Sequence, residues 1–126
     1  MIVPMLVCAD GAAEIEFCKQ AFGAIELSRR VGQAGEVVHA TLKIDDDMFM
    51  VHGQYPHLKS VAPSNDGSSP VVIYLYIDDV DVVIDRAVKA GAKILLPLTD
   101  QPWGDRVGRV MDPAGHVWNL ATHQHG

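Results

Sequence analysis

Short apolar runs and helical patterns follow one another along this chain in an order that occurs twice. Ile2–Cys8 reads as an apolar strand. Asp10 then caps a helix carrying Ile15, Cys18 and Phe22 at helical spacing, and Gly23 closes it in the left-handed conformation. Three strands are predicted next, Ile25–Val31, Glu36–Ile44 and Met48–His52, joined by Gly-Gln-Ala-Gly and by Asp45-Asp46-Asp47. Residues 53–70, rich in Gly, Pro, Ser and Asn, show no periodicity and read as a linker or flexible loop. The order then restarts with a strand over Val71–Asp78, a helix capped by Asp79 and ending at Gly91, and a strand over Lys93–Pro97. A hairpin completes it, with strands over Arg106–Met111 and from His116 onward. Asp112, Pro113 and Gly115 stand at the first, second and fourth positions of a type I turn between them.

Each half therefore reads β-α-β-β-β. This predicts an α+β fold of two modules, 1–52 and 71–126, separated by the 53–70 linker and together forming one structural domain. A shift of 69 positions lays Leu6 on Leu75, Asp10 on Asp79, Ile15 on Ile84, Phe49 on Trp118 and Val51 on Leu120. Because the register returns in the late strands after a slip near Gly23 and Gly91, the match is a repeat and not a chance likeness of two strand-helix pairs.

Alternation assigns faces. Ala40, Leu42 and Ile44 form one apolar face under the first helix, with Phe49 and Val51 beside them, and the repeat places Trp118 and Leu120 under the second helix. The opposite, free faces then carry Met5, His39, Met48, Met50 and His52 in the first module and Val72, Tyr74, Tyr76 and Asn119 in the second. Free faces that meet would enclose a pocket. Arg106 falls on that face by the repeat, opposite Val37, where it would bind an anionic or carbonyl group or pair with an acid such as Asp105. The same alternation puts Arg109 under the helix, a poor place for a guanidinium, so a bulge in this strand stays open. Trp103 enters this strand as a candidate rim, or packs simply against Pro97 and Pro102.

Composition narrows the function. The chain has 126 residues, 48% of them hydrophobic, and a formal charge of −6 without clustered Lys or Arg, which argues against a nucleic-acid partner. No apolar run is long enough for a membrane helix. The N-terminal residues lack a signal-peptide pattern, so a cytoplasmic location is expected. Cys8 and Cys18 read as reduced core residues, with a disulfide as the alternative. His123 and His125 read as a solvent-exposed tail.

The run from Trp103 to Trp118, Trp-Gly-Asp-Arg-x-Gly-x-Val-x-Asp-Pro-x-Gly-His-x-Trp, is followed by Leu120-Ala121-Thr122-His123. With Ala21-Phe22-Gly23 and His39-Ala40 it resembles the vicinal oxygen chelate superfamily, which includes glyoxalases, extradiol dioxygenases and bleomycin-resistance proteins. That resemblance implies paired β-α-β-β-β modules around a U-shaped cavity, often in a homodimer and sometimes with modules exchanged between chains. It also implies metal ligands at positions that here are Val3, Met50, Val72 and Asn119. Two valines, a thioether and a lone amide make a poor set for a catalytic divalent ion, so neither a metal nor any other cofactor is expected there. The alternative is a metal-dependent glyoxalase- or dioxygenase-type enzyme that uses a non-standard set built on His39 and His52. The leading expectation is a metal-independent protein that sequesters an aromatic or amphiphilic small molecule. Its site would be Met5, His39, Met48, Met50, Tyr74, Tyr76, Trp103, Arg106 and Asn119, with no catalytic residue.

Overall fold

The computed structural model describes residues 1–124. Its first module runs β1 (Met5–Cys8), α1 (Gly11–Phe22), β2 (Ile25–Val31), β3 (Val37–Ile44) and β4 (Asp47–Gly53). Its second runs β5 (Val72–Tyr76), α2 (Val80–Lys89), β6 (Lys93–Asp100), β7 (Asp105–Met111) and β8 (Val117–His123). Each module folds its strands into a four-stranded sheet, ordered β1-β4-β3-β2 and β5-β8-β7-β6. In both, the strand before the helix pairs in parallel with the last strand, and the other pairings are antiparallel. The two sheets do not merge or close into a barrel.

Local chemistry explains the helices unequally. Asp10 accepts a hydrogen bond from the Ala13 N–H, and Gly23 takes φ of 68° while its N–H closes onto the Lys19 carbonyl. The second helix departs from the sequence expectation, because Asp79 makes no side-chain cap. Instead Thr122 Oγ1, on β8, accepts from the Val80 N–H at 2.9 Å and donates to the Ile77 carbonyl at 2.7 Å. The orphan donor at the start of α2 is thus satisfied from the sheet.

The modules join on their helix-covered sides. Helices α1 and α2 pack on one another, and the Trp118 ring lies against Phe22 and Phe49, at centroid distances of 4.8 and 6.1 Å. Trp118 is buried, and its Nε1–H donates to Asp112 at 2.8 Å, so the apolar ring fills the core without leaving its one donor unpaired. Cys8 and Cys18 are free thiols in the same core. The free faces are turned to solvent, and Met5, Leu27, Tyr74, Tyr76, Leu96 and Trp103 are all exposed there.

The segment between modules is not featureless. It holds a 3-10 turn over Pro56–Leu58 and a bridge between Tyr55 and Ser60, and Gln54 accepts from the Ala62 N–H at 2.9 Å.

The repeat is exact in shift only in part. Val31 pairs with Val37 and Arg30 with His39, which leaves Val38 as an extra, unpaired residue in β3. As a result Ala40 opposite Val51 corresponds to Gly108 opposite Leu120, a shift one residue shorter than elsewhere.

Candidate functional site

That bulge breaks the correspondence between modules from which the arginines' faces are expected, and the β7–β8 register places them instead. The expectation for Arg106 is corrected: it lies opposite Thr122 on the helix side of β7, where its guanidinium meets Asp81 on α2 at 3.0 Å and Asp100 on β6 at 3.2 Å. Those two carboxylates hold its proton more tightly than usual, and they leave it a surface ion pair at the start of α2. Arg109 takes the free face instead. It stands opposite Asn119, and its Nε–H donates to the Asn119 side-chain oxygen at 2.8 Å. Arg109 therefore does not lie under a helix, and the physical objection raised by the uniform shift disappears with the shift itself.

The free face of the second sheet is organised by a residue to which the sequence assigned only a possible pairing with Arg106. Asp105, at the start of β7, is buried, and its carboxylate receives four groups. The hydroxyls of Tyr74 and Tyr76 donate to one oxygen at 2.6 and 2.7 Å, and Trp103 Nε1–H reaches the same oxygen at 2.9 Å. The other oxygen meets His123 Nδ1 at 2.9 Å. These hydrogen bonds, led by those from Tyr74 and His123, hold the Asp105 carboxyl well below the usual carboxylate range. The same contact, first among its causes, pushes the Tyr76 hydroxyl up to about 12. Tyr74 is raised too, by burial first and then by Asp105.

Strand alternation puts Tyr74 and Tyr76 on one side of β5, with ring centroids 5.1 Å apart. Gly104, at φ of 100°, makes the tight turn between Trp103 and Asp105, a conformation that a side chain would strain. The outcome is three aromatic rings anchored by their polar ends while their faces stay exposed. Alongside, Leu96, Pro97, Trp103, Val107, Arg109 and Asn119 line a cavity of about 300 Å3. A larger cavity, about 720 Å3, lies between β1, β5 and the inter-module segment. Its walls are mostly apolar, and its one titratable side chain, His116, is already engaged with the Val7 carbonyl at 2.8 Å. The smaller cavity is the one with convergent polar groups, and we take it as the candidate site.

On the first sheet the free face carries Met5, Met48, Met50, His39 and His52. His39 and His52 are cross-strand partners whose Nδ1 atoms lie 3.1 Å apart, and the His52 ring packs on Tyr55 at 5.1 Å. His52 is thus half-buried in contact with His39 and Tyr55. His123 is likewise tied to Asp105 rather than loose in a tail, and His125 lies outside the described residues.

A family model described as Glyoxalase/Bleomycin resistance protein/Dioxygenase superfamily matches residues 2–120. The chain belongs to that superfamily. The uncharacterized protein Rv0887c of Mycobacterium tuberculosis is 43% identical over 120 residues, which span 93% of this chain and 71% of that protein. Among solved structures, TioX from Micromonospora sp. ML1 superposes with a TM-score of 0.77 at 30% identity, covering 97% of each chain. The fosfomycin resistance protein FosX from Mesorhizobium loti shares the fold, with a TM-score of 0.70 at 17% identity, over 98% of this chain and 92% of its own.

The metal positions implied by the superfamily resemblance do not fit a metal here. Val3 and Val72 offer no donor, and the Asn119 oxygen that would face an ion is engaged by the cationic Arg109. A fixed guanidinium repels a divalent ion at that spot. Among the described residues, no three His, Cys, Asp or Glu side chains gather in a way that would hold a metal elsewhere.

Proposed function

We propose that this superfamily member is a small-molecule-binding protein that sequesters a flat aromatic or amphiphilic compound on the free face of its second sheet, with no metal at the superfamily position. The observation that carries this reading is the anchoring of Tyr74, Tyr76 and Trp103 to one buried carboxylate. Because Asp105 fixes the polar ends, the rings lose little freedom when a ligand stacks on them, which lowers the cost of binding. Arg109 and Asn119 stand beside the rings as donors and acceptors that orient a carbonyl or anionic group, a role the sequence pattern gave to Arg106. The apolar cavity wall from Leu96, Pro97 and Val107 suits an amphiphile.

The reading includes a homodimer in the cytoplasm. A second copy would cover the exposed apolar side chains Met5, Leu27 and Leu96 and bring His39, Met48 and Met50 over a partner's aromatic rings. Support comes from those exposures and from superfamily membership. No helix among the described residues is long and apolar enough to cross a membrane.

The test is a thermal-shift and fluorescence screen of aromatic and amphiphilic compounds, run on metal-free, untagged protein. A hit should quench Trp103 emission and lose about tenfold or more in affinity in Tyr74→Ala and in Trp103→Ala. If every hit binds both variants as it binds the unmodified protein, stacking on this platform is wrong.

A further inference from the structure

The reading above uses His39 only as a cover over a partner's rings and His52 not at all, yet the geometry of the pair is specific. His39 on β3 and His52 on β4 face each other directly across an antiparallel ladder, on the solvent-turned side of the sheet. Their Nδ1 atoms are 3.1 Å apart and their ring planes lie at 74°. A hydrogen bond between two such nitrogens needs one proton between them, so one ring must present a lone pair toward the other. We propose that His39 and His52 form a binding site for a divalent ion of the zinc, copper and nickel group.

The spacing is that of two neighbouring ligands on one ion. With metal–nitrogen bonds of about 2.0–2.1 Å, nitrogens 3.1 Å apart subtend about 95–102° at the metal. That angle lies between square-planar and tetrahedral values, so neither strand has to move. Each lone pair must swing by roughly 40° from the line joining the nitrogens, a motion within the broad χ2 range of histidine. The ion takes the place of the shared proton: the ring that donated it loses the proton from Nδ1 and takes one up on Nε2 from solvent, so both rings stay neutral and no net proton is released. Burial first, then His52 and Arg30, favour the neutral form of His39, so its lone pair stays available near neutral pH.

Among the described residues no third His, Cys, Asp or Glu completes the site. The remaining coordination positions therefore go to water or to a donor atom of a bound molecule. Arg30, the cross-strand neighbour of His39, opposes the ion's charge and restrains its affinity. The sheet that carries this pair is not the one that carries the aromatic platform, so the proposal does not rest on the stacking reading, and either can fail alone.

Untagged protein is titrated with Zn2+ and with Cu2+ at neutral pH by calorimetry, beside His39→Ala, His52→Ala and His57→Ala. The expected result is one ion per chain, bound at least about tenfold more weakly by each of the first two variants and unchanged in the third. Binding should also weaken as pH falls, because protons compete with the ion for the ring nitrogens. If His39→Ala or His52→Ala fails to fold, electron paramagnetic resonance of the Cu2+-loaded unmodified protein decides, with coupling to two imidazole nitrogens expected. Binding that survives both substitutions, a signal without two coupled imidazoles, or no stoichiometric uptake at about 100 µM ion overturns the proposal.

Discussion

Replacing Glu14 by glutamine should make this protein more stable at neutral pH and change how its stability responds to pH. Glu14 sits in the first turn of α1 yet is fully buried, no donor reaches either carboxyl oxygen, and the neighbouring polar group is Asp112, which a protonated Glu14 can bond. The start of a helix favours a negative charge by only about 0.3–1 kcal/mol, whereas a buried unpaired carboxylate costs several kcal/mol. Burial therefore wins. With the Asp112 carboxylate beside it, burial raises the Glu14 carboxyl well above its ordinary 4.5, so the folded protein holds it neutral. Cys8 and Cys18 share the pocket and are themselves pushed up by burial and by these acids, so no cation offsets the charge.

The sign follows from proton counting. Above pH 4.5 the unfolded chain has released the Glu14 proton and the folded chain has not, so stability falls as pH rises until the folded group itself ionises. One proton is worth at most about 1.4 kcal/mol per pH unit, and the slope ends where the folded group itself ionises. Glu14→Gln keeps the shape without the titration. Urea unfolding followed by far-UV circular dichroism at pH 5.5, 6.5 and 7.5 should show the variant gaining on the unmodified protein as pH rises. All other ionisable groups are common to both proteins and cancel in the difference. Parallel stability curves for the two proteins would refute the buried-neutral assignment.

Three further outcomes follow from the same geometry. Arg109→Gln should weaken binding of an oriented aromatic ligand several-fold while Arg106→Gln leaves it unchanged, as read by fluorescence titration, because only Arg109 faces the cavity. Trp118→Ala should cost about 3–5 kcal/mol in urea unfolding, since it empties the seam where Phe22 and Phe49 pack and strips Asp112 of a donor. Asp105→Asn should loosen the three aromatic rings and reduce ligand affinity. Because the Asp105 carboxyl is held below its ordinary 3.8, the stability it adds is present above that value and lost as pH falls, so the variant and the unmodified protein should converge in acid melts.

The free faces of the two sheets were legible from alternation alone, because Tyr74, Tyr76, His39 and Met50 each sit in a strand flanked by unmistakable core residues. Arg106 was not, since one unpaired residue, Val38, breaks the register between modules, and a bulge leaves no mark in a pattern already rich in valine. Asp105 was harder still. Its donors come from positions 31, 29, 18 and 2 residues away, on β5, on β8 and in the loop before β7. The only hint in the sequence was an acid beside Trp103 in a strand that should share a sheet with two tyrosines.

The sequence by itself determined the two β-α-β-β-β modules, the Asp10 and Gly23 caps of the first helix, the buried role of Trp118 and the lack of donors at the superfamily's metal positions. Those properties are local or periodic: they depend on side-chain spacing, on Gly and Asp at strained or capping positions, and on which elements can ligate at all. The tertiary structure decided which arginine reaches the cavity, which carboxylate gathers the aromatic rings, and how closely His39 approaches His52. These are distances between strands remote in sequence. They depend on sheet register and on the packing of α1 against α2, and a one-residue change in register carries a side chain to the opposite face.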